Sequence, residues 1–214
     1  MNSKEVAAVG VFAALAYAGS FALLIFPNVT LSILLVFFAG YLLGVRGGIF
    51  VGVVSALLIT LFNPYGLAML PIMAAQVIGY VLIGLLGGLL RKSSTALPNW
   101  RYPLIVAAVA LVLAFLLKLW FLLLLIPAAL LLLIFRQTAL VGALCLGLLG
   151  FVTALLFQIP VSVVDAWLFK PFWARLATAV PFALITIVSN IIFFIFLFPV
   201  LAKLKELAIF QPDL

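Results

Sequence analysis

The sequence contains no histidine, a single cysteine (Cys145) and only four carboxylates, Glu5, Asp165, Glu206 and Asp213. Without histidine there is no imidazole for a catalytic triad, a haem or a metal centre. One cysteine excludes an internal disulfide, and in its apolar setting Cys145 is expected to be a small, inert packing residue. Cobalt or nickel carriers need ligand sets rich in His, Cys or carboxylate, which this composition lacks. Neither a cofactor nor a metal is therefore expected.

Charge is also scarce. Only 7% of the 214 residues are charged and 70% are hydrophobic, against about 25% charged in a soluble domain. Too few charges remain to cover a water-facing surface, so the chain is expected to be an all-α integral membrane protein. At about 20 apolar residues per crossing it has room for roughly six to eight spans and no soluble domain. The net charge of +7 would suggest nucleic acid in a soluble protein. Here the basic residues sit singly at span ends, so no nucleic-acid binding is expected and the charge is read as topological.

Apolar segments run at about 5–26, 29–45, 48–62, 71–90, 103–135, 138–158 and 178–201. The first is read as a span and not as a cleaved leader. Breaks fall at "FPN" (26–28), "GVRGG" (44–48), "NPYG" (63–66), "RKSSTALPNWR" (91–101), Arg136 and a longer connection over 159–177. The stretch 103–135 is too long for one straight span and carries Lys118 near its middle, so a hydrophobic hairpin is preferred to one tilted helix.

With both termini in the cytoplasm, Lys4, Arg46, Arg91, Lys92, Arg101, Arg136, Lys203 and Lys205 all lie inside. Small residues at helical spacing mark close helix approaches: Ala7, Gly10, Ala14, Ala18 and Ala22 in the first span, Gly48, Gly52 and Ala56 in the third, Gly84 and Gly88 in the fourth. The first stripe is longer than one neighbour needs, which leaves room for an external partner.

Intramembrane polar groups tend to mark function, and nearly all of them fall on the outer half of this topology. They are Asn28 and Thr30; Asn63, Tyr65 and Gly66; Gln76; Thr153 and Gln158; Asp165, Trp167, Lys170, Trp173 and Arg175; and Thr186, Ser189 and Asn190. Each has a plain structural alternative. Asn-Pro-Tyr-Gly is a good turn by chemistry alone, Gln76 and the Ser189–Asn190 pair could satisfy helix backbones, and Asp165 and Lys170 could pair with each other or with solvent. Their common side points to an outward pocket with aromatic walls and uncharged hydrogen-bonding groups, suited to a small molecule with a ring system.

The stretch "PNVTLSILLVFFAGYLLGVRGGIFVGVVSALLITLFNPYGLAMLPIMAAQVIGYVLIGLLGGLLRK", with "GFVTALLFQIP" and "VPFALITIVSNIIFFIFLFPVLAKL", resembles the substrate-binding S component of energy-coupling factor (ECF) transporters. The shared pattern is a helix ending in G-x-R-G-G, a Gly-rich third helix, an N-P-x-G outer loop, a G-x-x-G-G-L-L-R-K exit and a late Ser-Asn pair. The resemblance implies a six-helix bundle, here with an extra hydrophobic hairpin (103–135) inserted between the fourth and fifth core helices. It also implies a vitamin-like small-molecule substrate bound from outside a prokaryotic cytoplasmic membrane. A transmembrane coupling subunit and a pair of ATPase subunits would be the partners.

On that resemblance the substrate-binding set is Asn28, Asn63, Tyr65, Gly66, Gln76, Gln158, Asp165, Trp167, Ser189 and Asn190. The partner-facing set is Ala7, Gly10, Ala14 and Ala18, of which Ala14 and Ala18 match the family's A-x-x-x-A arrangement. Thr186 stands where the family often has histidine. No Walker motif is present, so hydrolysis would come from the partners and the chain itself is not expected to be an enzyme. The competing reading is a non-transport membrane protein, either an assembly factor or a lipid-processing intramembrane enzyme; a self-sufficient carrier is a third.

Overall fold

The computed structural model describes residues 1, 3–23, 25–91 and 139–203, which form helices joined by short turns and loops. They form α1 (Ser3–Phe21), α2 (Ser32–Leu61), α3 (Leu70–Leu90), α4 (Ala139–Leu168), α5 (Phe172–Phe196) and the short α6 (Phe198–Ala202). The first five are long and apolar enough to cross a membrane, which makes this a multi-pass membrane protein. The expected hairpin over 103–135 lies outside the described residues.

α2 covers the two segments expected at 29–45 and 48–62 and is interrupted at Gly44, with φ +82° and ψ −178°. Only glycine enters that region without strain. The halves fold back on each other there: a Cβ on Gly48 would lie 2.7 Å from the Gly40 Cα, whereas eight residues along a straight helix separate atoms by about 12 Å. α3 lies along both halves. A Cβ on Gly84 would strike the Gly48 carbonyl, and one on Gly52 would come within 2.6 Å of the Tyr80 carbonyl oxygen. Since lipid gives helices no hydrophobic reason to associate, this backbone-to-backbone approach supplies the van der Waals contact in its place.

The apolar core is centred on α2. Phe37 meets Phe194 and Phe198 edge-on at 5.1 and 5.7 Å between ring centroids, and Phe38 meets Phe12 at 6.2 Å. Cys145 is buried in the same core, as its apolar surroundings suggested.

The two ends of the bundle differ in charge. Met1, Glu5, Leu43, Arg46 and Gly47 border one small hollow, and a Cβ on Gly44 would lie 2.9 Å from Arg91 Nη1. The start of α1, the bend of α2 and the end of α3 therefore meet at one end, carrying Lys4, Arg46 and Arg91. Phe198 packs at 5.5 Å on Tyr41, near that bend, so Lys203 follows at the same end. The opposite end holds the segment after α1, the loop 62–69 and the α4–α5 turn.

One expectation is corrected. Residues 159–177 are not a long connection: α4 runs through Pro160 to Leu168, and α5 starts at Phe172. A proline inside a helix costs about 3 kcal/mol, and here the helix continues because the residues beyond it still pack, with Ala166 fully buried. At 30 residues, α4 is about 45 Å long, so it outruns a membrane core of about 30 Å.

Candidate functional site

The extended α4 builds the site. Gln158, Val161, Ser162 and Asp165 follow i, i+3, i+4, i+7 spacing and so share one face of α4. Arg175, Thr178, Ala179 and Phe182 repeat that spacing on α5. Between these faces lies a cleft of about 270 Å³, closed by Asn28 from the first loop and Ile72 from the first turn of α3. It lies at the end away from Lys4, Arg46 and Arg91.

An ion pair marks the cleft. Arg175 Nε donates to Asp165 Oδ2 at 2.6 Å and Nη2 to Oδ1 at 3.2 Å, a two-point contact in which both groups stay partly exposed. Asp165 thus pairs with Arg175 and not with Lys170, because one more helical turn carries the guanidinium back over α4. The guanidinium also lies 5.3 Å from the Phe169 ring centroid, within cation–π range.

Below the ion pair, Thr186 joins three elements. Its hydroxyl donates to the Asn28 carbonyl at 3.0 Å, with the Phe182 carbonyl at 3.3 Å, and accepts from Gln158 Nε2 at 3.3 Å. Asn28 presents that carbonyl from a left-handed conformation, φ +62°, which asparagine tolerates better than most residues. Thr186→Val is expected to lower stability by about 1–2 kcal/mol, because it leaves the Asn28 carbonyl and one Gln158 N–H without this partner. Thermal unfolding in detergent would read this as a loss of several degrees.

Of the substrate-binding candidates, Asn28, Gln158 and Asp165 line the cleft. Gln76 lies one turn deeper than Ile72 along α3 and receives a hydrogen bond from Thr60 at 2.7 Å, tying α3 to α2. Ser189 and Asn190 both donate to the Thr186 carbonyl of their own helix, and no partner of Asn190 Oδ1 is found among the described residues. Asn63 Oδ1 accepts from the Tyr65 backbone N–H at 2.9 Å, and the Gly66 N–H donates to the Asn63 carbonyl, with Gly66 at φ +101°. That is turn chemistry, and it leaves Tyr65 76% exposed. Trp167 is exposed on another face of α4.

Val161, Ser162, Thr178, Ala179, Phe182 and Ile72 were not among the candidates. The signal for most of them was available in the matching i, i+3, i+4, i+7 sets on either side of residues 169–171, once the helix is carried through Pro160.

On α1, Ala7, Gly10, Ala14 and Ala18 are all exposed, while Val9, Phe12, Ala13, Ala16 and Gly19 face the core. The first-span stripe is thus uncovered by the described residues, whereas Gly48, Gly52, Gly84 and Gly88 are used internally. Among the described residues no three His, Cys, Asp or Glu side chains come together as a metal site would need. No protein-family model, curated protein or solved structure matches the chain.

Proposed function

We propose that the chain is the substrate-binding membrane subunit of an ECF-type uptake transporter, which binds a vitamin-like small molecule and is energised by partner ATPases through a membrane coupling subunit. The observation that carries this reading is the position of the cleft: it opens at the end of the bundle opposite Lys4, Arg46, Arg91 and Lys203. By the positive-inside bias the basic end is cytoplasmic, so the cleft faces outward and both termini face the cytoplasm of a prokaryotic cell. With the folded-back halves of α2 counted separately, the described residues hold six long helical rods, a number compatible with the six-helix bundle of that family.

Two features support association with partners. The uncovered small-residue face of α1 allows another helix to approach closely, and the chain carries no nucleotide-binding motif of its own. The competing enzyme reading would make Asp165 the base, yet both its oxygens are held by Arg175 and no histidine accompanies it.

Equilibrium binding of B vitamins and related nutrients to the purified chain, with identification of co-purifying subunits, tests the proposal. A ligand of micromolar affinity or better and an associated ATPase pair are expected; finding neither would sink it. Within that assay, Asn63→Ala and Tyr65→Ala resolve the outer loop. Asn63 serves its own turn and Tyr65 points away from the described fold, so each is expected to change ligand affinity less than threefold. A tenfold loss would instead make the loop part of the bound-state cleft.

A further inference from the structure

The cleft's charge balance indicates which ligands it accepts, given the reading above that it is a ligand site. Among the described residues, Asp165 and Arg175 are the only ionisable ones lining it, and each neutralises the other through the two-point contact. A ligand with net charge would give up part of its hydration at a site whose two charges are already paired with each other.

The uncharged lining is rich in paired donors and acceptors. Asn28 and Gln158 bring carboxamides, and Ser162 and Thr178 bring hydroxyls. One Gln158 N–H is committed to Thr186 and the Thr178 hydroxyl donates to the Arg175 carbonyl. That leaves the Gln158 carbonyl, its second N–H and the Thr178 lone pairs. An amide edge, with its adjacent donor and acceptor, complements a carboxamide at two points. Phe182 and Ile72 offer apolar surface for a ring, and about 270 Å³ lies below the roughly 300–1,000 Å³ of drug-sized sites, so the ligand is small.

We infer that the cleft selects a small ring-bearing or amide-bearing ligand of zero net charge and rejects the matching carboxylate or phosphate. The Asp165–Arg175 pair is the filter. Removing either partner exposes the other charge and redirects the selectivity: Asp165→Asn frees a guanidinium for anions, and Arg175→Gln frees a carboxylate for cations.

The full chain in lipid nanodiscs, titrated with matched pairs, tests this. Suitable pairs are nicotinamide and nicotinate, pantothenol and pantothenate, and pyridoxal and pyridoxal 5′-phosphate. The neutral member is expected to bind at least tenfold tighter in the pairs that bind. Asp165→Asn is expected to shift each such ratio at least tenfold toward the anion, and Asp165→Asn with Arg175→Gln to restore the neutral preference. Equal or tighter binding of the anion by the unaltered chain overturns the inference, as does a ratio that Asp165→Asn leaves unchanged in folded protein.

Mass spectrometry of co-purifying small molecules separates the two levels of the argument. A neutral ligand supports the filter. An anionic one overturns it while leaving the binding-subunit reading intact; no bound molecule in either assay overturns the filter, and it sinks the binding-subunit reading too when no ATPase pair co-purifies.

Discussion

Gly84→Leu is expected to abolish the folded bundle. Even a single Cβ at position 84 would run into the Gly48 carbonyl, and a Cβ on Gly40 or Gly48 would run into the Gly84 carbonyl in turn. Overpacking a core typically costs 1–3 kcal/mol when side chains can shift aside. Here the obstructing atoms are backbone, held by helical hydrogen bonds on both sides, so the cost should exceed about 3 kcal/mol. That is a large part of a typical total stability of about 5–15 kcal/mol. Loss of monodisperse protein in detergent is the expected result. Gly10→Leu is the control: nothing lies within 4 Å of a Cβ there, and the change should leave the unfolding temperature within a few degrees. If Gly84→Leu yields protein as stable as Gly10→Leu, the close crossing of α3 over the folded-back α2 is wrong.

That crossing was half legible beforehand. The run "GVRGG" announced a break, and the break falls on its first residue because Gly44 alone takes the positive φ. The glycine spacing in 48–56 and 84–88 announced close approach, though it could not say which helix approached which. The sixth apolar segment is ended at 158 by the sequence, and in the structure it continues through Pro160 for a definite reason. Proline in a helix interior carries a known local penalty, whereas the packing that outweighs it, with Ala166 fully buried, depends on residues distant in sequence. Reading the helix as ended hid the two matched faces that make the cleft.

Polar residues were harder to place than helices. A serine, threonine or asparagine in a helix can bond its own turn as readily as a neighbour, and sequence does not say which. Ser189 and Asn190 took the local option through the Thr186 carbonyl, and Asn63 took it through the Tyr65 N–H. Thr186 bridged to Asn28 and Gln158 across three elements. Asn28, Gln158 and Asp165 stood among the candidates because they were polar and on the outer half, and that criterion was enough to find three residues of the cleft but not to reject the others.

Ala179→Trp is expected to reduce ligand binding at least a hundredfold without unfolding the protein. Ala179 lines the open cleft on α5, between Arg175 and Phe182, rather than a packed core, so a larger side chain there extends into free volume. An indole occupies much of a space of about 270 Å³, and the ligand would have to displace it. Ala14→Trp makes the complementary cut. Ala14 is exposed on α1 and does not line the cleft, so a bulky residue should leave ligand affinity unchanged. On the proposed reading it would instead prevent close approach of the coupling subunit and abolish uptake. Binding is measured on the purified chain and uptake in cells that carry the ATPases, so the two variants should fail in different assays. Loss of binding in Ala179→Trp with uptake lost in both variants supports an outward cleft and a separate docking face. If Ala179→Trp binds ligand normally, the cleft is not the site; if Ala14→Trp transports normally, the small-residue face of α1 is only lipid-facing surface.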